Sequence, residues 1–108
     1  QRKGIVTQFR LGQVVAKPGI LDAAKGELLA ALKRHQHCDW GEVPASDWAA
    51  NDLALTHGGR IISAYESETK TKFWIITEAD RSATTLLLPE ETEKWRVFYE
   101  RESSGGDR

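Results

Sequence analysis

The sequence predicts a single small domain of the α+β class, with an antiparallel sheet of three to four strands packed against two to three helices. Helical and strand periodicities occupy separate parts of the chain instead of alternating, which is typical of this class. Three strand-like segments follow one another with short polar turns between them, as in an antiparallel meander. The 108 residues suffice for one domain with one modest core.

The amino-terminal part of this domain begins with one strand and continues as helix. Residues 8–16 alternate apolar and polar side chains, which indicates a strand, and Pro18-Gly19 turns the chain. From Ile20 to about Gln36 apolar residues recur at helical spacing, so this stretch predicts an amphipathic helix. Gly26 weakens the middle of that helix by about 1 kcal/mol, and two short helices are the alternative.

A further helix and three strands fill most of the remaining chain. The helix spans about Ala45 to Thr56, and Gly58-Gly59 ends it. The strands are, in order, Arg60–Ser67, Lys72–Glu78 and Ala83–Leu88. We expect the second strand to be central, because its apolar run Phe73–Ile76 needs cover on both faces. We also expect residues 8–16 to join the sheet as a fourth strand.

The carboxyl end combines acidic and aromatic residues. Glu90, Glu91 and Glu93 favour the first turn of a terminal helix, and its aromatic face would carry Trp95, Phe98 and Tyr99. The polar residues 103–108 are expected to be disordered and residues 1–7 to be flexible. These limits leave residues 8–102 as the domain.

Composition and charge narrow the class of function. The net charge of −1 argues against non-specific phosphate binding, and so against a nucleic-acid partner, because such binding needs a basic surplus. The charge is uneven: residues 1–36 carry 7 − 2 = +5 and residues 37–108 carry 8 − 14 = −6, which can orient a partner or a second copy. No apolar run approaches the roughly 18 residues of a membrane helix. The single cysteine, Cys38, excludes a disulfide scaffold and indicates the cytoplasm.

Metal-ligand residue types occur together at the predicted end of the long helix. His35, His37, Cys38 and Asp39 are close in sequence, but a zinc site normally needs a second pair of ligands, and only His57 remains to help. A histidine at a helix C-terminus also has a plain electrostatic reason to be there. We therefore predict no metal and no cofactor.

Two groups of residues are candidates for binding, each with a structural alternative. Trp40, Asn51 and Tyr65 would line a pocket, or the Asn51 amide would satisfy loop backbone while Trp40 packs the loop onto the core. Glu78, Asp80 and Arg81, at the turn before the last strand, would supply an acid, a base and an anion clamp. The alternative is that they are ordinary turn residues whose side chains bond the local backbone or pair with each other.

The two classes of function open to such a chain are an interaction module and an enzyme. His57, Tyr65, Glu78 and Arg81 are residue types used by metal-independent ribonucleases, but nothing in their spacing requires them to converge. No P-loop, dinucleotide-binding fingerprint, nucleophile elbow or paired-cysteine motif is present. The sequence therefore favours a non-enzymatic module that binds a protein or a second copy of itself. Trp95, Phe98 and Tyr99 would either contact the partner or pack against the sheet of their own chain.

Five segments resemble a group of short bacterial proteins carried on plasmids, integrons and other mobile elements. They are Phe9–Leu21 (FRLGQVVAKPGIL), Asp39–Gly41 (DWG), Asn51–Leu55 (NDLAL), Arg60–Tyr65 (RIISAY) and Trp74–Pro89 (WIITEADRSATTLLLP). The last segment is the most specific, whereas Lys17 departs from the small polar residue that is commoner there. The group has no established activity, so the resemblance implies no catalytic residue. It implies an accessory product of mobile DNA that works in the cytoplasm.

Overall fold

Four strands and three helices make up the described part of the chain, residues 9–91, in the computed structural model. The strands are β1 (Gln13–Ala16), β2 (Ile61–Glu66), β3 (Lys72–Thr77) and β4 (Ala83–Leu87). The helices are α1 (Pro18–Ala24), α2 (Leu28–Gln36) and α3 (Ala45–His57). Short 3₁₀ turns cover Lys25–Glu27 and Pro89–Glu91. The predicted α+β class is therefore confirmed.

The strands form one sheet in the order β1-β4-β3-β2. β2, β3 and β4 make the predicted antiparallel meander, with Ile76 opposite both Ile62 and Thr85. β1 joins as the fourth strand but runs parallel to β4, with Val15 beside Thr85. The sheet is thus mixed, and the prediction of a purely antiparallel sheet is wrong at this strand. Parallel pairing requires a long crossover, which α1, α2 and α3 together with the meander provide.

The structure corrects the start of the first strand and shows that the predicted long helix is broken in two. The first strand begins at Gln13 and not at residue 8, and Phe9–Gly12 has no regular structure. Gly12 has a φ of 66° and lies so close to the Ser82 backbone that a side chain would overlap it. The long helix is broken at Lys25–Glu27, around Gly26, so the alternative of two short helices is the one observed.

The core lies between the sheet and helices α1 and α2. Ile20 of α1 and Ala31 of α2 pack with Phe73, Ile75 and Leu86 from the interior strands. Burying side chains as large as Phe73 and Ile75 stabilises the fold by roughly 1.5–3 kcal/mol each. The prediction that β3 is central is confirmed, because it pairs on both sides and buries residues on both faces of the sheet.

Some sequence-based expectations concern residues that the structure does not describe. Of the predicted terminal helix, Glu90 and Glu91 lie in the 3₁₀ turn Pro89–Glu91, and the remainder with Trp95, Phe98 and Tyr99 lies outside residues 9–91. The expected flexible residues 1–7 and the tail 103–108 also lie outside that range. Within the described range, no helix combines the length and the apolar character needed to cross a bilayer.

Candidate functional site

The outer edge of β2 is covered by the side chain of Asn51. Helix α3 holds this side chain buried beside Ile62. The Nδ2 group of Asn51 donates to the Ile62 carbonyl at 2.8 Å, and its Oδ1 accepts from the Ile62 N–H at 3.2 Å. The amide therefore satisfies both backbone groups that a further strand would otherwise pair.

The next outward-facing residue of β2 is covered by the loop after α2. The N–H of Ala64 donates to the Trp40 carbonyl at 3.1 Å, and the Ala64 carbonyl accepts from the Glu42 N–H at 2.7 Å. Gly41 lies between them in a parallel bridge to Ala64, with a φ of 77°. Together with Asn51, this loop covers the outer edge of β2 at Ile62 and Ala64.

Buried aromatic residues hold this loop in place. The Trp40 ring is fully buried, and its Nε1 donates to Asp52 of α3 at 3.0 Å. The Tyr65 hydroxyl donates to the Asp39 carbonyl at 2.6 Å, and burial raises the pKa of that hydroxyl. A bond from Arg34 lowers the pKa of the Asp39 carboxyl. The structure thus brings Trp40 and Tyr65 together with Asn51 around the loop, with their polar groups bonded within the fold.

Arg81 fastens the β3–β4 turn to the end of α3. Its guanidinium donates to four backbone carbonyls, those of Gly59 at 2.7 Å, Ala54 at 2.9 Å, Ala79 at 3.0 Å and Glu78 at 3.1 Å. Asp80 accepts from the Ser82 N–H at 3.0 Å, and bonds from Ser82 lower the pKa of its carboxyl. Asp80 therefore bonds the local backbone as the structural alternative expects, whereas Arg81 also reaches the distant carbonyls of Ala54 and Gly59.

The four residues considered for an enzyme are not joined by side-chain contacts in the described structure. His57 is exposed at the end of α3, where its Nδ1 lies 3.3 Å from the Leu53 carbonyl. Glu78 faces Arg60, with Oε1 3.8 Å from Nε. Arg81 reaches Glu78 only at its backbone carbonyl, and the Tyr65 hydroxyl is bonded to Asp39. No hydrogen bond among residues 9–91 links His57 or Tyr65 to the other members of the set.

The residues of metal-ligand type at the end of α2 separate in space. His35 is buried, whereas His37 is exposed and Asp39 is bonded to Arg34. Within residues 9–91 no group of three or more His, Cys, Asp or Glu side chains could hold a metal ion. Burial raises the pKa of the Cys38 thiol, which disfavours the nucleophilic thiolate.

The buried environment of His35 was missed by the sequence reasoning. Its Nδ1 lies 2.5 Å from the Ser63 hydroxyl and its Nε2 lies 2.8 Å from the Thr77 hydroxyl. Burial, with a further contribution from the Arg81 charge, lowers the pKa of His35 from 6.5 to about 3. The available signal was the presence of Ser63 and Thr77 at positions whose strand neighbours, two residues away, face the core.

The outer edge of β1 differs from that of β2. The N–H of Gln13 donates to the carbonyl of Ser82, just before β4, at 3.0 Å, and the N–H of Lys17 donates to the Leu86 carbonyl of β4 at 2.9 Å. In a parallel ladder the intervening residues Val14 and Ala16 then direct their N–H and C=O groups away from the sheet. No residue in the range 9–91 pairs with that edge, and Val14 and Val15 are 45% and 40% exposed.

Comparisons with known proteins were made at three levels. The chain matched no protein-family model, no curated protein and no solved structure. The geometry of the chain itself therefore carries the functional argument.

Proposed function

We propose that this protein is a non-enzymatic interaction module that binds an extended segment of another protein along the outer edge of β1. The supporting observation is the difference between the two edges of the sheet. Asn51 and the loop at Trp40 cover β2, whereas nothing among residues 9–91 covers β1. An uncovered edge strand is a template for pairing with a further strand.

The β1 edge supplies both backbone bonds and apolar contact. Val14 and Ala16 together offer two N–H donors and two carbonyl acceptors. Each bond contributes about 0.5–1.5 kcal/mol net, before the cost of bringing two molecules together. The exposed side chains of Val14 and Val15, on opposite faces of the strand, add apolar area. Contributions of this size fit a transient complex.

Charge indicates the chemistry of the partner. Arg10 and Lys17 flank β1, and neither has an ion pair within the described range. The first 36 residues carry a formal charge of +5. We therefore propose a partner segment that carries acidic residues beside β-branched ones, because opposite charges steer encounter and fix register. We further propose that the protein works in the cytoplasm, because it has a single cysteine. We also propose that it is an accessory product of mobile DNA, as the sequence resemblance implies.

The enzyme alternative lacks a supporting contact. Its anion clamp would be Arg81, whose guanidinium is committed to four backbone carbonyls. Its acid and base would be His57, Tyr65 and Glu78, whose polar groups bond elsewhere. We therefore do not propose it.

The test is an NMR titration with a short peptide that alternates valine and threonine and carries glutamate at both ends. We expect the amide signals of Val14 and Ala16 to shift, and a matched peptide with lysine at both ends to bind at least tenfold more weakly. Shifts confined to residues outside β1, or equal binding of the two peptides, would refute the proposed partner chemistry.

Removal of one outward-directed backbone N–H distinguishes strand pairing at the β1 edge from non-specific binding. Val14→Pro removes a donor that faces away from the sheet and leaves the donors to β4 in place, so peptide binding should be lost while the fold is kept. Leu53→Ala, at an exposed leucine of α3, is the control and should bind normally. If the unmodified protein sediments as a dimer and Val14→Pro as a monomer, a second copy takes the place of the acidic partner.

A further inference from the structure

Four buried side chains form a continuous hydrogen-bonded row across the helix-facing side of the sheet. The row consists of Ser63, His35, Thr77 and Thr84, all completely buried. From His35 it passes to Thr77 at 2.8 Å, from Thr77 to Thr84 at 2.7 Å, and from Thr84 to the Leu11 carbonyl at 2.7 Å. The row therefore connects the middle of the sheet to the irregular segment that precedes β1.

The direction of every bond in the row follows from counting protons. A carbonyl oxygen accepts, so the single hydroxyl proton of Thr84 is donated to Leu11. Thr84 must then accept from Thr77, and Thr77 must accept from the Nε2–H of His35. The neutral ring carries only that proton, so Nδ1 accepts from Ser63. The Leu11 carbonyl thus selects the Nε2–H tautomer of His35.

The His35 ring is covered by two aromatic side chains that are held unequally. We call residues Phe9–Gly12 the strap. Its Phe9 ring lies 5.2 Å from the His35 ring, and the Phe9 carbonyl accepts from Gln36 at 3.0 Å. The strap continues into the short edge strand β1, which pairs only with β4 in the described structure. The second cover, Trp40, is fixed by Asp52 and by its backbone bond to Ala64.

A proton added to His35 would find no free negative charge to pair with in this environment. Nδ1 would become a donor, and the Ser63 hydroxyl could accept from it only by turning away its own proton, which would lose its acceptor. Arg81, from the β3–β4 turn, carries the same sign of charge as the imidazolium. The nearby acids are already engaged, Asp52 of α3 with the Trp40 ring, Asp39 with Arg34, and Glu78 facing Arg60. An imidazolium here requires water, because a buried unpaired charge is strongly unfavourable.

We propose that the strap and β1 form a pH-operated latch, which opens when His35 takes a proton and closes when it loses one. Lifting the strap is the smallest movement that gives the ring access to water, since its hydrogen-bond partners lie in β2, whose outer edge is covered, and in the interior strand β3, and Trp40 is anchored. The depressed pKa of His35 in the closed fold agrees with this coupling. The latch goes beyond the proposed function, because it concerns only this chain and needs no partner.

Hydrogen exchange of backbone amides tests the latch directly. The Gln13 N–H, which donates to Ser82, reports on β1, and Ile75 reports on the interior of the sheet. If the open form titrates with the usual histidine pKa of 6.5, opening becomes about 25-fold more favourable between pH 7 and pH 5. We expect the protection factor of Gln13, corrected for intrinsic exchange, to fall by about that factor and to be independent of dilute urea, because lifting the strap exposes little surface. Ile75 exchanges by unfolding, so its protection should also fall with urea.

Two substitutions distinguish the latch from other causes. His35→Gln can still accept from Ser63 and donate to Thr77 but cannot be protonated, so Gln13 protection should be equal at pH 7 and pH 5. His57→Gln removes an exposed histidine and should behave like the unmodified protein, which also provides a measurement if His35→Gln does not fold. The same urea dependence of exchange at Gln13 and Ile75, or no loss of Gln13 protection between pH 7 and pH 5, would overturn the proposal. Neither result involves peptide binding, so the proposed function stands or falls separately.

Discussion

Substitution of Gly41 by alanine should destabilise the fold more than the same substitution at Gly58. Both glycines have a left-handed φ, 77° at Gly41 and 82° at Gly58. A Cβ at position 58 would meet no atom within 4 Å, so Gly58→Ala measures backbone strain alone, about 1–3 kcal/mol. The two variants thus form a matched pair, because φ is positive at both glycines and the surroundings of the added Cβ differ.

At Gly41 the added Cβ meets the sheet itself. It would overlap the Ala64 carbonyl oxygen and lie 2.8 Å from the Tyr65 ring. The loop must then withdraw and lose its two backbone bonds to Ala64, each contributing about 1 kcal/mol. Adding the strain, we expect Gly41→Ala to lower the free energy of unfolding by about 3–5 kcal/mol, a large share of the 5–15 kcal/mol typical of a domain.

Urea unfolding followed by tryptophan fluorescence measures both variants. We expect the midpoint of Gly41→Ala to lie well below that of Gly58→Ala, and its Ala64 amide to exchange faster because the edge of β2 is uncovered. Equal midpoints would mean that the close approach of the loop to β2 contributes nothing, and the closed β2 edge on which the proposed function depends would be refuted.

Substitutions at three residues test the buried polar contacts of the fold by urea unfolding. The pKa of His35 is about 3 in the folded state and 6.5 in the unfolded state, so the unfolded state takes the proton first as the pH falls. The free energy of unfolding should therefore drop by about 2 kcal/mol from pH 7 to pH 5. His35→Gln should abolish this drop. Asn51→Leu leaves the N–H and C=O of Ile62 unpaired and should lose about 2–4 kcal/mol. Asn51→Asp should lose no less, because its buried carboxylate would face the Ile62 carbonyl oxygen. Arg81→Lys cannot span four carbonyls with one ammonium group and should lose about 1–3 kcal/mol; no loss would contradict its fastening role.

The sequence was sufficient for features that depend on neighbouring residues. The meander, the central position of β3 and the interruption near Gly26 follow from alternation, turn residues and helix propensity, which act over a few residues. The same local reasoning expected Trp40 to pack its loop onto the core, but it gave the Asn51 amide a loop-backbone partner, whereas that amide bonds the β2 backbone at Ile62.

Only the tertiary structure decided the features that join distant parts of the chain. The parallel direction of β1 depends on a crossover that spans most of the described residues, and the cover on β2 depends on α3 and on the loop after α2. His35 looked like a helix-terminal histidine, yet its partners Ser63 and Thr77 come from two strands of the later meander. Sequence periodicity predicts which side of a helix or strand faces the core. The hydrogen-bond partner of a side chain on that side belongs to another element, and its identity is decided only when the elements pack together.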